Sequence, residues 1–290
     1  MTRFFPLAVL AIALLSTNAV AQARRQTAAP TAPCAAAAAK VDYGRLLQIP
    51  DGLKAEVEAY RAGWREACAK KGGASLNALL VRGDAIAKAF VAVLDKSGIK
   101  ETKFDDLHTL FRETYPRFIP AFHGSVIEYE YFEPDLAVYA RQAALGDAED
   151  KLFLSNHRAL YGTDPHGFPW VMRSWDHGGC VRFGAFDWVG AVARIEGLEA
   201  KLKGEAYRRR LAELKDRIRS YLTEPAAKRG DGKKPVVDSC APRARTIAEL
   251  DKTAKGLQAR KGWEKTVAGL RKTLDDIRAN RTEICNDCLR

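Results

Sequence analysis

The chain has 290 residues, 47% hydrophobic and 29% charged, with a formal net charge of +11. That apolar fraction is enough to bury a core and excludes a chain disordered throughout. The surplus of Lys and Arg excludes an acidic, solvating polypeptide and favours partners of opposite sign.

The first element in chain order is an export signal. Arg3 precedes an unbroken apolar run over residues 4–15, and Asn18-Ala19-Val20-Ala21 then offers small residues where a signal peptidase reads. Residues 1–21 are therefore expected to be a signal peptide cleaved before Gln22. The run of 12 residues is short of the roughly 20 that a membrane-spanning helix needs, and no later segment is longer and as apolar. The mature chain is expected to carry no transmembrane segment. The Ala- and Arg-rich composition suits a bacterial chain, so the expected location is periplasmic or secreted. Residues 22–40 read as a low-complexity Ala/Pro leader. Residues 41–290 read as a single helical domain, with a sub-boundary near 185.

Within that domain, Leu53, Val57, Tyr60, Trp64 and Cys68 recur at spacings of three and four, which predicts a helix over 52–70. Gly72 and Gly73 stop it. Ser75 caps a second helix with the stripe Leu76, Leu79, Gly83, Ile86, Phe90 and Val93, ended by Gly98. A shorter helix is expected over 104–114. Residues 125–133 fit a strand or a helix equally well. Pro134, placed at a first helical position, is expected to start a helix running to about 145. Asp147 caps another, to about 161. Residues 162–184 form a long loop rich in aromatics, Gly and Pro.

The last third predicts two long amphipathic helices. Trp188, Val192, Ile195, Leu198, Leu202, Tyr207, Leu211, Leu214, Ile218 and Tyr221 trace the first, ended by Pro225. A charged loop over 226–239 follows. Thr246 and Glu249 read as a capping box for the last helix, with the stripe Ile247, Leu250, Ala254, Leu257, Val267, Leu270, Leu274 and Ile277; a phase shift at 256–262 bends it. The fold class expected is mostly all-α: a helical domain with a long aromatic loop and two long C-terminal amphipathic helices, stapled by disulfides.

Six cysteines in an oxidising compartment read as up to three disulfides. Cys34–Cys68 brackets the first helical unit, Cys180–Cys240 flanks the long helical stretch, and Cys285–Cys288 closes a C-x-x-C. A redox dithiol or a zinc site at that last pair would need a strand-to-helix context or a second pair, and the sequence has neither.

Charge is unevenly spread. Residues 22–193 carry 21 basic and 21 acidic side chains, and residues 194–290 carry 25 and 15. Arg208, Arg209 and Arg210, then Lys228, Arg229, Lys233 and Lys234, are the candidate anion-binding groups. They are suited to a membrane surface, a cell-envelope polymer or an acidic protein; no specific nucleic-acid motif is present.

Chemistry, if any, would come from the middle. His123, His157, His166 and His177, with Asp164 and Asp176 beside two of them, could supply an oriented imidazole or mixed metal ligands. No zinc-binding signature matches their spacing, and no metal or cofactor is expected. Phe168, Trp170, Arg173 and Trp175 could line a ligand pocket. Glu128, Glu130, Glu133 and Asp135 resemble an acid–base pair of carboxylates, as does any acidic strand. The function expected is an exported helical binding protein without catalytic activity, engaging an anionic partner through its basic C-terminal third. The alternative is a periplasmic hydrolase or metal-dependent enzyme using the His/Asp-rich loop 157–180.

Overall fold

Apolar side chains at helical spacing set the first two elements. Helix α1 (Asp51–Lys70) buries Leu53, Val57, Tyr60 and Trp64 along one face, and α2 (Leu76–Ser97) buries Leu76, Leu80, Ile86 and Phe90. The structure is a computed structural model that describes residues 41, 50–70, 73–97, 118–121, 131–162, 171–173, 179–181, 183, 186–227, 233–239 and 241–285. The expected signal peptide, the Ala/Pro leader and the helix over 104–114 lie outside those residues.

Ser75 caps α2 as expected, its Oγ accepting from the Ala78 N–H at 3.2 Å. The two helices pack on each other and α2 also packs on strand β2. Gly83 makes that second contact possible: a Cβ there would stand 2.8 Å from the Pro134 ring.

Strand β1 (Phe118–Ala121) pairs antiparallel with β2 (Tyr131–Pro134). Pro134 thus ends a strand instead of opening a helix. The helix that follows, α3 (Leu136–Arg141), takes its cap from Asp135, whose side chain accepts from the Ala137 N–H. A 3-10 turn (Ala143–Leu145) leads into α4 (Ala148–Ser155), and α5 (His157–Tyr161) follows a break at Asn156. The segment expected to be one long loop contains an antiparallel hairpin, β3 (Val171–Arg173) with β4 (Gly179–Val181).

Each long C-terminal helix is in fact two. The first divides into α6 (Trp188–Glu199) and α7 (Glu205–Thr223); the second divides into α8 (Arg243–Leu257) and α9 (Glu264–Arg278). The apolar stripes hold with one correction: Tyr221 is exposed and Leu222 is buried in its place. The capping box does not form. Pro242 precedes α8, and Thr246 lies buried inside it with its hydroxyl on Ser239 (2.7 Å) and the Ala241 carbonyl (3.1 Å). Helix α8 packs on α9 and α9 on α7. At the α8–α9 turn, Glu196 of α6 accepts from Arg260 and from the Trp263 indole, and Arg219 lies over the Trp263 ring at 4.9 Å. Strand β5 (Val236–Asp238) pairs parallel with β6 (Glu283–Cys285), with Asp238 opposite Cys285.

The acidic start of α4 organises the N-terminal half of this core. Asp147 caps α4 itself in a capping box with Asp150. Asp150 then reaches across to α2, accepting from the Leu76 N–H at 2.8 Å and the Asn77 N–H at 3.0 Å, and takes the Tyr207 hydroxyl at 2.7 Å. Glu149 accepts from the Lys203 and Gly204 N–H groups at the start of α7. Three helix N-termini therefore converge on three carboxylates. Their positive dipole ends and orphan N–H groups would otherwise lie unsatisfied against one another. The approach is close enough that a Cβ on Gly204 would overlap the Asn77 side chain.

Cys68, half-buried on α1, is disulfide-bonded. No complete cysteine pair lies among the described residues, because each expected pairing includes a residue outside them: Cys34, Cys240 or Cys288.

Candidate functional site

Polar groups buried in a helical core must be paired or explained. Between β2, α5 and the middle of α7, most are paired. Asp84 of α2 receives Arg210 in a two-pronged bond, at 2.9 and 2.7 Å, and Arg209 reaches the same carboxylate. Arg209 also lies 3.5 Å from Glu213. The hydroxyls of Tyr60 and Tyr139 share a hydrogen bond of 2.7 Å.

Two groups in this region are left over. Glu133 of β2 has a recessed carboxyl with no hydrogen bond or ion pair to a described residue. Burial raises its pKa above the ordinary 4.5; Arg210 and Arg217 pull it back, while Asp84 and Glu213 push with burial. The Tyr161 hydroxyl at the end of α5 is sealed from solvent without a hydrogen-bond partner. Burial drives its pKa up as well, with Arg210 opposing and Glu133 and Glu213 adding to the rise. Leaving such a group unpaired costs about 1–3 kcal/mol, and more if it is charged.

His157 is the one candidate histidine among the described residues. It is half-buried and stacks on Tyr161 with ring centroids 5.3 Å apart. Burial holds its pKa below the ordinary value; Asp135 opposes this and Arg141 adds to it. His123, Asp164, His166, Phe168, Trp170, Trp175, Asp176 and His177 lie outside the described residues, as do Glu128 and Glu130, and of Arg173 only the backbone is described. Among the described residues no three metal-ligating side chains come together. Asp135 is used as a helix cap.

The three expected anion-binding arginines diverge. Successive helix positions turn by about 100°, so Arg208 faces solvent, Arg209 is partly buried and Arg210 is buried on Asp84. Arg209 and Arg210 are corrected from surface anion contacts to core ion-pair partners. Lys233 and Lys234 are exposed; Lys228 and Arg229 lie outside the described residues. A groove of about 300 Å³ between α1 and α2 is lined by Gly63, Ala67, Ala78 and Leu79, but its charged groups are spent, Lys70 on Glu66 at 2.5 Å and Arg82 on the Ala59 carbonyl at 3.2 Å.

No family model, curated protein or solved structure matches the chain. The functional reading therefore rests on these side chains alone. Sequence reasoning named Glu133 only among four interchangeable carboxylates and missed Tyr161 and Asp84. No local spacing links these residues, which come from three separate elements.

Proposed function

We propose that the protein is an exported, helical binding protein that engages an anionic partner through the surface of its basic C-terminal third. The observation that carries this reading is how charge is paired there. Most of the acids are neutralised locally: Glu196 by Arg260, Glu199 by Lys215, Asp216 by Arg219, Asp251 by Lys255 and Asp276 by Lys272 and Arg281. What remains exposed without an acidic partner among the described residues is cationic: Lys201, Lys203, Arg208, Lys234, Lys261 and Lys265. Unpaired surface cations attract polyanions at long range. Exposed charges are screened beyond about 8 Å at physiological ionic strength. Binding to vesicles of anionic phospholipid, or to a soluble polyanion, is therefore expected at low salt and should weaken steeply as salt rises. Binding that ignores salt would point to another surface.

Export implies an oxidising compartment, and the reading includes the three staples Cys34–Cys68, Cys180–Cys240 and Cys285–Cys288. Closing a loop of tens of residues is worth about 3–4 kcal/mol in the chain-entropy model. Peptide mapping under non-reducing conditions is expected to recover these three pairs. The β5–β6 register sets Cys285 opposite Asp238, two residues before Cys240. A recovered Cys240–Cys285 peptide would replace two of the three assignments.

A further inference from the structure

We propose that the recess between β2, α5 and α7 is a second, separate binding site, for a neutral hydroxyl-bearing molecule such as a saccharide, one hydroxyl of which donates to the Glu133 carboxylate and accepts from the Tyr161 phenol. The site stands out because its surroundings are satisfied. Asp84 is held by two arginines, and Tyr60 and Tyr139 hold each other. In this region the Glu133 carboxyl and the Tyr161 hydroxyl alone lack a hydrogen-bond partner among the described residues, and each feels the other's charge. Glu133 is only half-buried and forms the outer group; the Tyr161 hydroxyl is sealed behind it.

Charge decides the class of ligand. Three carboxylates (Glu133, Asp84, Glu213) stand among three guanidinium groups (Arg209, Arg210, Arg217). The recess is balanced, so it has no net attraction for an ion of either sign. An ionised carboxylate only accepts, whereas a phenol donates or accepts. A hydroxyl does both and can bridge the two. Ordered water offers the same bridge, so the test must separate water from a ligand.

Unpaired groups kept for a ligand weaken the empty protein. Tyr161→Phe removes the orphan hydroxyl and Glu133→Gln removes the desolvated charge. Each is expected to raise the melting temperature of the ligand-free protein by about 2–4 °C at neutral pH. The gain from Glu133→Gln should vanish below the ordinary carboxyl value of 4.5, where Glu133 is neutral in both the folded and unfolded states. Saturation-transfer NMR with D-glucose, D-galactose and N-acetyl-D-glucosamine is expected to show contact with the wild type. Both variants should bind the responding sugar at least about tenfold more weakly. Melting temperatures that fall in both variants would show that the groups support the fold. No contact with any of the three sugars would leave water as the bridge, and undiminished binding by both variants would place the sugar elsewhere; either result overturns the proposal.

Discussion

Replacing Asp150 by alanine is expected to cost the fold about 4 kcal/mol, the largest effect of any single polar substitution considered. The fully buried carboxylate accepts from the Leu76 and Asn77 N–H groups, the Tyr207 hydroxyl and the Asp147 N–H. Hydrogen bonds to a charged group are worth about 1.5–3 kcal/mol each, and a lost helix cap about 1 kcal/mol. Water that enters the vacated space will recover part of this. For a domain of this size the expected fall in melting temperature is roughly 8–16 °C. Asp150→Asn keeps one acceptor oxygen and should lose about half as much. A loss under about 1 kcal/mol for the alanine variant, measured by urea denaturation, would mean that the ends of α2 and α4 are held by something else.

The contrast between Asp150 and the apolar stripes shows what the sequence makes legible. Leu53, Val57, Tyr60 and Trp64 announce α1 because helix periodicity is local, and the same holds for the stripes of α7, α8 and α9. The break between α6 and α7 is not local. It is fixed by Glu149, which caps Gly204 from 55 positions away, and the stripe runs on across it through Leu202. Asp150 caps α2 from 74 positions away. The slip from Tyr221 to Leu222 arises because two adjacent apolar residues satisfy the same stripe and packing at the helix end chooses between them. Pro134 fits a first helical position and a strand end alike, and only the pairing with Phe118 decides. The candidate site was the least legible part. Arg208, Arg209 and Arg210 are chemically identical in sequence, and their separation into surface and core depends on where Asp84 sits.

Asp84 and Arg210 provide the second large expected effect. Arg210→Met leaves the Asp84 carboxylate buried with only Arg209 beside it, and should cost about 3 kcal/mol. Asp84→Leu leaves the buried guanidinium of Arg210 unpaired and should cost at least as much. The double variant removes both charges and fills the space with apolar atoms, so it should recover most of the loss. A double-mutant cycle in urea is expected to give a coupling of about 2 kcal/mol or more. Additive losses would mean that the pair acts through packing alone, in spite of its two-pronged geometry.

The binding reading depends on the exposed cations of the C-terminal third, and one comparison tests it most directly. Wild type is compared with a variant carrying glutamine at Lys201, Lys203, Arg208, Lys234, Lys261 and Lys265, all exposed. Surface substitutions away from structural contacts shift stability by no more than about 0.5 kcal/mol each, so the variant should remain folded. Co-sedimentation with vesicles of anionic phospholipid and titration with a soluble polyanion, both at low salt, should show at least about a tenfold loss of affinity for the variant. Equal affinity for the two proteins, or no binding by wild type to either probe at low salt, would contradict the account.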